Sequence, residues 1–198
     1  RAQDGAWRVH VESDAARGTV IVPFDLEGDL PLEVDMDRLT LGEHQARAGA
    51  NPDPTRFPSM RLSADAFSAF GKRFGTLRAA LVREEAGLRL KSFTTTSHSF
   101  TAKGVGSWFN TSAGQRSALD FTLDSSDVLE TLKDLGYGAS LTGKRGAAQA
   151  SLTWPGAPDS QLFGRLSGSA HIEVGSGQLL ALQPGAGRVF GLMSVGAL

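Results

Sequence analysis

The sequence predicts a mainly β chain, an antiparallel meander sheet interrupted by two short helices. Two observations predict it. Apolar and polar residues alternate with period two along most of the 198 residues, the mark of strands with one apolar and one solvated face. Turn formers separate these runs, and only two stretches carry the spacing and caps of a helix.

Trp7, Val9 and Val11 alternate with Arg8, His10 and Glu12, and after a polar turn ending in Gly18 the chain returns through Val20, Val22, Phe24 and Leu26. Leu32, Val34 and Met36 alternate with Glu33, Asp35 and Asp37; the phase then slips by one to Leu39 and Leu41, which predicts a bulge. Three prolines between Asn51 and Pro58 predict an irregular loop. Leu77, Ala79 and Leu81 lead through the turn Glu84–Gly87 into a return strand beginning Leu88 and Leu90. Leu119, Phe121 and Leu123 alternate cleanly with Asp120, Thr122 and Asp124. Ala148 to Trp154 (with Leu152) and Ala170 to Val174 (with Ile172) read as further strands.

The first helix is expected near 127–135. Ser126 or Asp127 can cap it, Val128, Leu132 and Leu135 share a face, and Gly136 ends it. The second is expected near 185–196, after Pro184, and is apolar nearly all round but too short to span a bilayer. The expected organisation is one continuous segment over 1–198, a β-meander over 1–125 and a helix-bearing part over 126–198. Arg1 and the apolar end PGAGRVFGLMSVGAL suggest an excerpt from a longer protein.

Composition excludes several classes of chemistry. With 20 Lys and Arg against 21 Asp and Glu, the formal net charge is −1 and no basic face is concentrated enough to hold nucleic acid. The chain has no cysteine, so thiolate catalysis and Cys-ligated zinc are ruled out. Gly138, four residues and then Gly143-Lys144 start the phosphate-loop pattern, but Arg145 stands where the magnesium-binding hydroxyl belongs. A phosphate loop also leaves a strand and enters a helix, whereas this segment follows a helix and leads to a strand. It reads as a basic turn, with no nucleotide partner.

His10 with Glu12 and His171 with Glu173 are spaced to share a strand face, but a metal site needs three or four converging ligands. No G-x-S-x-G elbow is present and neither His44 nor His98 has a partnering context, so the chain reads as a non-enzyme without metal or other cofactor. Asn110-Thr111-Ser112 is a formal glycosylation sequon and no more. What remains is apolar face. Such a sheet can close into a barrel, pair with a second sheet, or curl into a groove that a ligand fills. The last candidate, a polysaccharide-binding domain, would need aromatic platforms beyond Trp108-Phe109.

The motifs Leu135-Gly136-Tyr137, Leu152-Thr153-Trp154-Pro155-Gly156, the strand before Gly177 and Pro184-Gly185-Ala186-Gly187-Arg188 stand in an order and spacing that, from Leu132 to Leu198, resembles the carboxy-terminal region of the YhdP-type, AsmA-like proteins of Gram-negative bacteria. Residues 1–131 are similar to that family only in style. The resemblance implies a sheet curled into an open groove, in a periplasmic protein anchored in the inner membrane and reaching towards the outer membrane. It also implies phospholipid acyl chains as the partner carried along the groove. The groove would be lined by the apolar faces of the strands: Trp7, Val9, Val11, Val20, Val22, Phe24, Leu32, Val34, Met36, Leu88, Leu90, Leu119, Phe121, Leu123, Leu152, Trp154, Ile172 and Val174. The helix near 185–196 is a candidate for contact with a membrane surface. The alternative is a structural or protein-interaction module of the cell envelope with a closed core.

Overall fold

The computed structural model describes residues 2–3, 5–26, 28, 30–41, 52–138, 141–158 and 164–179. They form one sheet of eleven strands in chain order: β1 (Ala2–Gln3), β2 (Ala6–Glu12), β3 (Ala16–Pro23), β4 (Leu32–Leu41), β5 (Met60–Ala69), β6 (Lys72–Glu84), β7 (Gly87–Thr96), β8 (Phe100–Thr111), β9 (Gly114–Ser125), β10 (Leu141–Pro155) and β11 (Ser167–Leu179). One helix, α1 (Val128–Asp134), joins β9 to β10, and a 3-10 turn (Pro54–Arg56) precedes β5. The helix expected near 185–196 and His44 lie outside the described residues.

The sheet is open. β1 and β11 are its two edges and do not pair, so the described strands do not close into a barrel. Every neighbouring pair is antiparallel except β4–β5, which is parallel. The expected bulge falls at Asp37: Gly18 faces Met36 while Arg17 faces Arg38, so Asp37 is the extra residue. β9 and β10 pair from Ser125–Gly146 to Arg116–Pro155, so the sheet continues without a break past residue 125.

Two sequence readings are corrected. Gly143–Gly146 is not a turn but part of β10, with Gly143 opposite Gly177 and Gly146 opposite Val174. A Cβ on Gly146 would come within 2.9 Å of Val128 Cγ2, so the glycine is what lets α1 lie against the strand. Asp127 does cap α1, its carboxylate accepting from the Glu130 amide at 3.0 Å. The helix buries Val128, Thr131 and Asp134, however, and leaves Leu132 and Leu135 half-buried. Its seat is mostly polar.

Antiparallel alternation sends the turns to two rims. On one rim lie the β5–β6 turn, the β7–β8 turn and α1; on the other lie the β6–β7 and β8–β9 turns and the 3-10 turn. β4 ends on the first rim and β5 begins on the second, so the chain between them crosses from rim to rim. Met36, Ala64 and Leu77, one each from β4, β5 and β6, form a buried cluster across this parallel seam, backed by Val20, Val34, Phe67 and Ala79.

Candidate functional site

Cross-strand pairing decides which side chains share a face. One row runs Val9–Val20–Val34–Leu62–Ala79–Phe93–Gly104–Phe121–Ala150–Ala170, through ten strands. A second runs Val11–Gly18–Met36–Ala64–Leu77–Thr95–Ala102–Leu123–Ala148–Ile172. A third runs Leu32–Met60–Leu81–Leu90–Gly106–Leu119–Leu152–Gly168. Apart from one threonine these rows are wholly apolar or glycine. Lys72 and Arg83, at opposite ends of β6, are in register with this face, and both stand at a rim.

At about 4.8 Å per strand, the ten strands β2–β11 make an apolar stripe about 43 Å long. Ala64, Ala102 and Ala150 are buried among their larger neighbours on it, and no second sheet covers it among the described residues. Glycine in β8 tightens the floor: a Cβ on Gly104 would sit 2.1 Å from the Asp120 carbonyl oxygen, and Phe121 lies directly across. Half-buried Phe93, Leu119, Phe121, Leu123 and Leu152 form the middle of the trough.

The residues predicted from sequence fall on this face together. Trp7 pairs with Val22, Leu88 with Trp108, Trp154 with Ser117 and Val174 with Gly146, extending the rows towards the rims. Phe24 is the outlier: it follows β3, is 56% exposed and meets Trp7 edge-on at 5.5 Å. Sequence reasoning left Leu62, Ala64, Leu77, Ala79, Leu81, Phe93, Phe100 and Ala102 out of the lining. The signal was present in β6 as clean alternation; in β5 and β8 alanine and glycine occupy positions on this face and dilute it.

Each rim carries a wall. At one, Pro54 is fully buried, Phe57 and Trp108 rings pack at 5.4 Å, and Trp108 Nε1 donates to Gln115 Oε1 at 3.1 Å. Asp53 accepts from the Thr55 amide and from Asn110 Nδ2, both at 3.0 Å; the Thr55 hydrogen bonds, first among the causes, hold its carboxyl below the ordinary value. At the other, α1 runs from Val128 beside Gly146 of β10 to Leu135, whose carbonyl accepts from Lys72 Nζ of β6 at 2.7 Å. Asp134, 4% exposed in its side chain, meets Arg73 Nη2 at 2.9 Å and accepts from Ser99 Oγ at 3.2 Å.

The opposite face is polar. A shallow open depression there is lined by Arg8, Thr19, Glu33, Asp35, Arg61 and Arg78; Arg61 lies 3.6 Å from Glu33, and Ser63 donates to Asp35. His10 and Glu12 stand on β2 and His171 and Glu173 on β11, at opposite sides of the sheet, so the two pairs do not converge. His171 Nε2 and Glu173 Oε1 instead pair with each other at 3.1 Å. Among the described residues no group of three metal-ligating side chains forms, and no helix is long and apolar enough to cross a membrane. Trp108 and Phe109 face opposite ways, Trp108 to Phe57 and Phe109 to the Arg89 guanidinium at 5.1 Å, and do not make a joint platform.

No curated protein and no solved structure matches this chain. A family model described as YhdP protein matches residues 1–198, so the relationship extends over the amino-terminal strands as well as the motif-bearing part. With its whole length matched, the chain belongs to the YhdP family of AsmA-like envelope proteins.

Proposed function

We propose that this chain is a stretch of a bridge along which phospholipids move between the inner and outer membranes, their acyl chains lying on the apolar stripe and their headgroups in water along the rims. The observation that supports it most is the length of the stripe. Half of a bilayer's ~30 Å hydrocarbon core, the depth of one acyl chain, is about 15 Å. A face about 43 Å long that stays apolar through ten strands exceeds any single ligand of that kind, and suits a track better than a pocket. Its ends are apolar too: Trp7 and Val9 near one edge and Ile172 at the other are about half exposed. Such a role needs no bond chemistry, and no catalytic residue is assigned. The protein would work in the periplasm, tethered to the inner membrane.

In-cell photocrosslinking in the full-length protein tests this. A photoreactive residue at Phe121, on β9 within a row that crosses ten strands, is expected to yield phospholipid adducts, and one at Thr122, on the opposite face, is not. Adducts only to the protein's own strands, in a protein shown to be active, would overturn the reading.

A further inference from the structure

α1 differs from the rest of the trough in what holds it. Its seat has one apolar contact, Val128 buried beside Gly143 and Gly146 of β10; the rest is polar, with Ser99 and Ser125 below and Thr131 and Asp134 on the helix itself, all four buried. Ser125 and Thr131 hydroxyls are 2.8 Å apart, Thr131 Oγ1 donates to the Ser99 carbonyl at 3.2 Å, and the Ser126 amide donates to the same carbonyl at 2.8 Å. Arg73 and His98, which meet Asp134 from β6 and the β7–β8 turn, are mostly exposed, and Lys72 lies over the Tyr137 ring at 4.6 Å. Each of these bonds can be exchanged for one to water at small net cost, unlike an apolar seat. A seven-residue helix has little stability of its own. It ends at Gly136, whose φ of +74° is the left-handed conformation that glycine adopts freely.

We propose that α1 is a hinged side wall: it swings away from the sheet as a unit, opening the rim between β6 and β10 so that an acyl chain can enter or leave the stripe sideways. The inference rests on the groove reading above. Its mostly polar seat makes the closed position specific without making it permanent, and the Asp127 cap keeps the segment helical while it moves.

These 198 residues carry no cysteine, so one engineered pair can lock the wall. Ser125→Cys with Thr131→Cys places two thiols where hydroxyls now stand 2.8 Å apart. With the photoreactive residue at Phe121, the oxidised double variant of the full-length protein is expected to give about tenfold fewer phospholipid adducts than the reduced one, while the yield of each single variant is the same in the two redox states. Equal adduct yield in the two redox states would overturn the hinge. A second measurement needs no lipid. Hydrogen exchange of the Ser126 amide, whose bond to the Ser99 carbonyl crosses the seat, should proceed while β8 and β9 stay protected, and should quicken about tenfold in Asp134→Asn, which removes the charge from the buried bonds. Exchange of the Ser126 amide only together with β8 and β9 would also overturn it. Absence of adducts from the wild type would sink the groove reading, and exchange would then judge the hinge alone.

Discussion

The two walls of the trough do similar geometric work with opposite chemistry. The wall around the 3-10 turn is seated by Pro54 and by the stacking of Phe57 on Trp108, contacts that cost free energy to expose. The α1 wall has a single apolar anchor, Val128, and is otherwise seated by hydroxyls and one buried carboxylate, contacts that water can replace. The difference teaches that burial alone does not say how firmly an element is held; what is buried decides it.

The contrast can be broken most directly at Trp108. Trp108→Ala removes the ring under Phe57 and the donor to Gln115, and is expected to cost about 3 kcal/mol of global stability. Urea unfolding followed by far-UV circular dichroism measures it; a loss near zero would mean that this wall is no better anchored than α1. Asp127→Ala strikes the other wall by removing the cap on the Glu130 amide. Its expected cost is about 1 kcal/mol, confined to α1. Amide exchange resolves where the loss falls, and a loss spread over β8 and β9 would show the two walls to be one cooperative unit.

The smallest effect is a pH dependence at the 3-10 wall. The Asp53 carboxyl is held below its ordinary value of 3.8 by the Thr55 backbone and side-chain hydrogen bonds and by Asn110. A depressed folded-state value stabilises the fold above the unfolded value and the contribution disappears as pH falls through the folded one. Titration from pH 5 downward should therefore move the Thr55 amide and Asn110 side-chain NMR signals together, with a midpoint below 3.8. A midpoint at or above 3.8 would contradict the described bonds.

Much of the sheet was legible because alternation survives wherever one face is apolar and the other charged, as in Trp7–Glu12 and Leu119–Asp124. The slip at Asp37 showed itself for the same reason. The strand through Gly143–Gly146 did not, because its two glycines answer to the approach of Val128, a tertiary demand that imitates turn composition. The buried side of α1 was misjudged on similar grounds: Leu132 and Leu135 outweigh Thr131 and Asp134 by hydrophobicity, but the groups waiting below are Ser99, Ser125 and Arg73. Of the candidate lining, the residues in β2, β4 and β9 announced themselves. Those in β5 and β8 did not, since alanine and glycine carry little hydrophobic signal.

The parallel pairing of β4 with β5 also bears on how the chain assembles. In the antiparallel pairs the partners nearest the connection are closer in sequence, 14 apart between β10 and β11 and 21 apart across α1. In the β4–β5 seam every pair is 28 apart, as Asp35 and Ser63 are, so no shorter contact starts it. Closing that loop costs chain entropy before any contact repays it. β2–β4 and β5–β11 should therefore form as two separate units, and their docking should be the late, slow event. The Met36–Ala64–Leu77 cluster lies on that junction, so a chain released before the cluster forms would expose two free β-edges at once.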